Sequence, residues 1–412
     1  MNKPKRKLII QKYGGSSVAD VAKIEKAAQR IISYARRGNR VVVVISAMGN
    51  TTDELISLAK EINLNPSERE MDMLMSTGEQ ISCSLLAMAI HKRGMRAISF
   101  TGPQVGIITD TDHTQAKILK IETDRIKKEL VRGSIVIVAG FQGLSTALEI
   151  TTLGRGGSDL SAVALAVSLN ADLCEIYTDV EGIYTVDPRI VPEAKKLKNI
   201  TFDEMLELAS LGAQVMHTRA IEVAKKFNIP IHVRGSFTKK EGTIIMQKSS
   251  YIEKPVVRGI TLTSDEAKLT LCNVSDKPGI AAHLFNELAR KNINVDMIVQ
   301  NVSHKKTTDI SFTVPKRNLA KAFKISKSIS KSIGTGEVIS DETIAKVSIV
   351  GVGMKSHSGV AARCFSILAK NKINIDMIST SEISISCVVK KAVGEKALKV
   401  LHKGFELDRI KS

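Results

Sequence analysis

The 412-residue sequence predicts an α/β protein: a mostly parallel open sheet with helices on both faces, followed by two α+β, ferredoxin-like units. Short runs rich in β-branched residues alternate with helical patterns in the first 250 residues. One of them, VVVVI from Val41, lacks the polar alternation of a sheet with a wet face, as a strand covered on both sides should. Further on, GIAAHLFNELARKNINVDMI from Gly279 aligns with GVAARCFSILAKNKINIDMI from Gly359, and eleven of those 20 positions are identical. A fixed-period duplication of this strength means two copies of one supersecondary unit.

In chain order, the strands of the sheet are LIIQ at 8, VVVVIS at 41, AISF at 97, SIVIVAGF at 134, CEIYT at 174 and IPIHVRG at 229. Between the first two, Val21, Ile24, Ala27, Ala28, Ile31 and Ile32 recur at helical spacing, and Gly38-Asn39 stops the helix. That is one right-handed β-α-β unit. Each repeat reads strand (AKLTLCNV, AKVSIVGVG), glycine turn, amphipathic helix, strand (NVDMIVQN, NIDMISTS), strand (TDISFTV, EISISCVV) and a second helix. The first copy closes with GEVIS, whereas the second has only the weak FEL. VVRGITLT at 256 can complete the second copy, which would nest the first inside it. The expected units are therefore 1–247, a first repeat at 264–340, and a second built from 256–263 plus 341–412, with QKSSYIEKP as linker.

A hydrophobic content of 43% excludes a disordered chain. The five cysteines are scattered without metal or redox spacing, which fits a reducing cytoplasm. No signal peptide is expected, and no run approaches a membrane span. The formal charge of +18 raises the question of nucleic acid, but the excess is spread over both parts of the chain. Aromatics are only 4% with no Trp, so stacking platforms are few and no nucleic-acid partner is expected. The charge instead favours anionic substrates.

In KLIIQKYGGSS a strand runs into Lys12, Tyr13, Gly14 and Gly15 before a helix. Such glycines let backbone N–H groups turn toward a phosphate at a helix start, with Lys12 as a point charge; a plain turn is the alternative. The pattern is neither a Walker A loop nor G-x-G-x-x-G. A second glycine-rich entrance, TTLGRGGSDLSAV, sets Arg155, Gly156, Gly157, Ser158 and Asp159 before another apolar helix. Arg155 can clamp a carboxylate in bidentate fashion. Asp159 reads equally as a first-turn capping carboxylate or as a group orienting Lys12. None of the eight histidines forms a catalytic or metal pattern, and His217 reads as structural.

Together KYGGSS, VVVVISAMGNTTDEL, REMDMLMSTGEQIS, GRGGSD, YTDVEGIYTVDPRIV and the paired repeats closely resemble the monofunctional aspartokinases of the amino-acid-kinase superfamily, whose tails carry paired ACT domains. The resemblance runs from about Leu8 to about Leu407. It implies phosphoryl transfer from MgATP to the side-chain carboxylate of L-aspartate, the opening step toward lysine, threonine and methionine. Lys12, Arg155 and Asp159 become the expected catalytic residues. Lys12, Tyr13, Gly14, Gly15, Ser46, Thr178, Asp179, Tyr184, Asp187, Arg189 and Gln214 are the expected nucleotide contacts, with Mg²⁺ held mainly by the phosphates and no metal cage in the chain. Thr52, Glu79, Arg155, Gly156, Gly157 and Ser158 form the expected aspartate site. Gln214 and Thr218 depart from the family pattern, which has lysine and proline there, so no charge is inferred at Gln214.

The resemblance also implies effector sites for lysine, threonine or both. Their positions are Asp276, Gly279, Ile280, Ala281, Asn294 and Gln300 in the first copy, and Gly359, Val360, Ala361, Asn374, Ile375 and Ser381 in the second. Ser356 stands where the first copy has Asp276, so the two sites should differ in affinity or ligand. A homo-oligomer through the ACT domains is implied, and an internal start at Met246 would give a small regulatory subunit. A kinase of the same fold acting on glutamate, acetylglutamate or uridylate is one alternative, and REMDMLMSTGEQIS with the paired repeats argues against it. A sensor without catalysis is another; intact Lys12, Arg155 and Asp159 argue against that.

Overall fold

The computed structural model describes residues 6–213, 215–247, 256–275, 277–302, 307–333, 337–352, 354, 357 and 359–410. Gln214, Asp276, Ser356 and all but the first residue of the expected linker lie outside them.

The first unit begins β1 (Leu8–Tyr13), α1 (Val21–Arg36), β2 (Arg40–Ile45), α2 (Thr51–Ile62), α3 (Glu68–His91) and β3 (Ala97–Phe100). It continues through β4 (Ile107–Thr109), β5 (Ile118–Ile121), α4 (Asp124–Val131), β6 (Ile135–Ala139), β7 (Gln142–Ser145), β8 (Ile150–Thr152), α5 (Gly157–Ser168) and β9 (Leu173–Thr178). It ends with β10 (Asn199–Thr201), α6 (Phe202–Ser210), α7 (Thr218–Phe227), β11 (Ile231–Gly235) and β12 (Thr243–Met246). Eight strands form one sheet in the order β10-β12-β11-β9-β1-β2-β6-β3. Its pairings are parallel except that between β11 and β12. Val41–Ile45 are all buried, and one core lies on each face of the sheet. Full burial of such aliphatic side chains contributes about 1.5–3 kcal/mol each, so this strand anchors the sheet.

Local chemistry sets the helix ends. The Asp20 carboxylate accepts from Lys23 N at the start of α1, and Gly38 at φ +89° follows its end. Thr201 and Glu204 form a reciprocal capping box on α6. α5 buries ten of its 12 residues, as its alternation of Ser, Ala, Leu and Val without a polar face requires.

The structure differs from the sequence-based expectation in several places. β5-β4-β7-β8 make a separate four-stranded sheet, whose three- and four-residue strands left no periodic signal. α3 has the length and hydropathy of a membrane span, yet 56% of its apolar window is buried. That helix packs on α1, β3, β6 and β8, with Asp72 and Glu79 on its buried side.

The tail comprises β13 (Gly259–Thr263), β14 (Glu266–Ser275), α8 (Ile280–Arg290), β15 (Ile298–Val302), β16 (Thr307–Pro315), α9 (Leu319–Ser332) and β17 (Val338–Asp341). Then come β18 (Ile344–Val350), α10 (Val360–Lys370), β19 (Met377–Thr380), β20 (Ser384–Lys390) and α11 (Lys391–Gly404). The sheets run β15-β16-β14-β17 and β13-β18-β20-β19. β13 pairs antiparallel with β18, while the FEL segment ends in a 3₁₀ turn, so β13 supplies the strand that the second copy lacks. β15 and β19 start later than their sequence patterns, leaving Asn294 and Asn374 in the preceding loops.

Candidate active site

Lys12 is the last but one residue of β1, and its Nζ lies 2.7 Å from Asp159 Oδ1 in the first turn of α5. Both side chains are nearly buried, which strengthens their attraction. Strand alternation turns Tyr13 the other way, where it stacks on Tyr177 at 4.7 Å and is 1% exposed. Tyr13 therefore faces the site through its backbone. The Gly14 N–H donates to the Tyr177 carbonyl at 3.2 Å. Gly15 is required by close approach, since a Cβ there would fall 2.9 Å from the Ala47 carbonyl oxygen.

The loop after β2 carries Ser46, whose N–H donates to Tyr13 O at 3.0 Å and whose carbonyl accepts from Ser82 Oγ at 2.8 Å. Thr52 sits in the first turn of α2, half-buried, beside Thr51, whose hydroxyl is spent on Met48 O. Glu79, buried on α3, accepts from Ala47 N at 3.1 Å through Oε1, and its Oε2 has no hydrogen-bond partner among the described residues. Burial raises its pKa to about 7, while Lys12 and the N–H bonds pull it down. A half-satisfied buried carboxylate beside a cation suits an ammonium-bearing ligand.

Arg155 is exposed, between Gly154 at φ +78° and Gly156 at φ +72°, and makes no ion pair among the described residues. Its loop is held from two sides. Arg219 donates to Leu153 O at 2.7 Å and to Ala116 O at 2.9 Å. The fully buried Asp72 accepts from Thr152 Oγ1 at 2.5 Å and from Thr114 N, and it meets His113 Nδ1 at 2.7 Å. Neither Asp72 nor Arg219 is an expected site residue. The one signal for Asp72 is its place in REMDML, seven residues before Glu79 on the same helix. Ser158 packs against Gly140, where a Cβ would meet its Oγ at 2.8 Å; Gly157 packs in the same way on Phe141.

Thr178, Asp179, Tyr184, Asp187 and Arg189 line one cavity of about 370 Å³. Thr178 donates to Asp179, and Arg189 clasps Asp187 in bidentate fashion, which holds the Asp187 carboxyl below its usual range. Arg155, Gly156 and Asp159 open instead on a larger cleft of about 1120 Å³ that also reaches His217 and, across the seam to the tail, Lys316 and Lys391. The Lys12–Asp159 pair thus joins the two glycine bends. Burial lowers the pKa of His217 and keeps it neutral beside Arg219. Among the described residues no three His, Cys, Asp or Glu side chains cluster as a metal cage.

In the tail, Gly279 (φ +97°) and Gly359 (φ +101°) cap α8 and α10 in the left-handed region with open space beside them, so conformation rather than crowding requires glycine. Ile280, Ala281, Val360 and Ala361 open those helices; Asn294, Gln300 and Asn374 are exposed, and Ile375 is half-buried. Ser381 Oγ approaches Glu207 of α6 at 3.3 Å.

The α/β fold with its duplicated tail thus sets a cation–carboxylate pair between two glycine bends, near an arginine without an ion pair and a buried carboxylate oxygen without a partner among the described residues. Residues 7–235 match the amino acid kinase family, and 272–327 and 347–405 match the ACT domain. An aspartokinase of Pseudomonas aeruginosa is 51% identical over 403 residues, covering 97% of this chain and 98% of its own. The structure of Escherichia coli aspartokinase III in complex with aspartate and ADP aligns with a TM-score of 0.81 at 27% identity, over 96% of this chain and 99% of that one. The structure of the E. coli enzyme with lysine and aspartate gives 0.75 at 27% identity, over 97% and 99%. The chain belongs to the amino acid kinase family and, within it, to the aspartokinases.

Proposed function

We propose that this kinase transfers the γ-phosphoryl group of ATP to the side-chain carboxylate of L-aspartate, giving 4-phospho-L-aspartate. The observation that carries the reading is the 2.7 Å Lys12–Asp159 pair where the two glycine bends meet. Phosphoryl transfer needs positioning and charge stabilisation more than covalent help. Lys12 neutralises charge that develops on the moving group, and Asp159 aims it. No side-chain base is required, because the attacking carboxylate is ionised near neutral pH.

Arg155 takes the α-carboxylate and Glu79 the α-ammonium, with Thr52 and Ser158 completing the acceptor site. Gly15 and Ser46 face the phosphates, and Thr178, Asp179, Tyr184, Asp187 and Arg189 wall the nucleotide. The reading takes Mg²⁺ as carried mainly on the nucleotide phosphates. Bound there, the ion supplies further charge neutralisation.

The same reading takes residues 1–247 as the catalytic unit, with the ACT units at 264–340 and at 256–263 plus 341–412. Lysine, threonine or both bind at the turns before α8 and α10 and inhibit by favouring a tail arrangement that misplaces the kinase loops. The enzyme works in the cytoplasm at the head of lysine, threonine and methionine synthesis, as a homo-oligomer through its ACT units. An internal start at Met246 would add a small regulatory subunit. A hydroxamate-trap assay with ATP and a panel of acceptors tests the reaction: product is expected with aspartate and not with glutamate, and is reduced by lysine or threonine. Product with glutamate alone would reject the acceptor, and full activity with both effectors would reject the regulation.

A further inference from the structure

The cavity assigned above to the nucleotide is not built by the first unit alone. Ile260 and Thr261 of β13 and Leu398 of α11 close one side of it, so the second repeat supplies part of its wall. The loop that carries Tyr184, Asp187 and Arg189 is itself embedded in that repeat. Its Val186 and Val191 belong to the same apolar core as Val257, Ile260, Leu398 and Leu401.

Thr185 is bonded on both sides of this seam. Its carbonyl accepts from Ile260 N at 2.8 Å, and its Oγ1 accepts from Lys195 N at 3.0 Å. The same Oγ1 lies 3.0 Å from Nε2 of His402 on α11, and both residues are fully or almost fully buried. Thr185 is adjacent to Tyr184 and two residues before Asp187, so displacing it moves the cavity wall. A plain adhesive contact between two units could lie anywhere on their seam. This one falls on the backbone that forms the pocket.

We propose that His402 is a positioning residue for the nucleotide: through Thr185 it fixes the loop bearing Tyr184, Asp187 and Arg189, so that the second repeat is a working part of the nucleotide site. The inference rests on the reading that this cavity takes the nucleotide. The expected acceptor groups, Glu79 and Arg155, stand on α3 and on the loop before α5, and among the described residues neither hydrogen-bonds to α11. Loss of the His402 contact should therefore weaken nucleotide binding selectively.

The test uses the full chain, with ADP as the binding probe by calorimetry and separate KM values for ATP and aspartate. His402→Leu is expected to weaken ADP binding and raise the ATP KM about tenfold, as loss of one buried hydrogen bond would, with the aspartate KM within about twofold. His402→Gln, whose amide reaches the Nε2 position, is expected to restore both. Thr185→Val should reproduce the His402→Leu effect. Unchanged ADP affinity in His402→Leu overturns the proposal. So does a parallel rise of both KM values without rescue by glutamine, which marks a purely structural role. Tyr184→Ala separates the nucleotide site from its support: if it leaves ADP binding unchanged, the nucleotide reading of the cavity fails; if it weakens binding while His402→Leu does not, only the positioning role fails.

Discussion

Asp72 accepts a 2.5 Å hydrogen bond from Thr152, three residues before Arg155, and so ties α3 to the strand that delivers the arginine. The same carboxylate holds Thr114 N and His113, on the segment that packs against Gly154. Because Glu79 lies two turns further along α3, one helix sets both ends of the expected acceptor site. Asp72→Asn keeps the shape but loses acceptor capacity and charge, leaving a buried amide short of partners. The aspartate KM should rise about tenfold or more, with the ATP KM nearly unchanged. Steady-state kinetics against each substrate checks the split; an equal rise in both would show a general loss of structure instead.

Glu79 makes a pH prediction. Its pKa is raised to about 7 by burial, so below neutrality the free enzyme carries a neutral carboxyl that cannot pair with an ammonium. The aspartate KM should therefore fall as pH rises, by up to about tenfold per unit below pH 7, and level off above it. Glu79→Gln should flatten this profile at a high KM. Stability runs the opposite way: the folded state holds a proton that the unfolded chain has released above about pH 4.3, so this group's contribution to stability declines as pH climbs from there to 7.

The parallel core was legible because Val41–Ile45 and the helix from Val21 repeat their burial patterns without interruption. The nested tail was legible because the duplicated segment exposed a missing strand, which β13 fills. What escaped are polar residues whose role depends on distant partners. Glu175, in CEIYT, reads as an ordinary strand residue, yet it is buried and joined to Gln11, Tyr34, Tyr177 and Arg234. Asp72 and Arg219 likewise fit helical patterns as solvated positions until the loops they hold are in view. The wall that Leu398 lends to the cavity lies more than 200 residues from Tyr184, and no local pattern could announce it.

Lys12→Ala should lower kcat by about 10²–10³-fold, the scale for removing one preorganised charge-stabilising group. Lysine or threonine binding to the tail, read by calorimetry, should persist, because Lys12 is on β1 in the first unit's sheet. Retained turnover in this variant would remove the lysine from the chemistry and revive the reading of the chain as a sensor.

Lys346 of β18 is 1% exposed and reaches across to Glu266 of β14 at 2.6 Å and to Asp296 before β15, joining the two repeats. Burial alone would lower its pKa, but the two carboxylates outweigh that and raise it, while burial raises the pKa of Glu266. Removing the cation leaves Glu266 largely buried without its partner, and breaking such a pair costs about 3–5 kcal/mol. Lys346→Met should accordingly lower the thermal stability of the tail. Its penalty should shrink as pH falls, because protonated carboxyls no longer need the ammonium. Melting curves at pH 5 and pH 8 check this: a penalty equal at both pH values would assign the loss to packing of the lysine stem rather than to its charge.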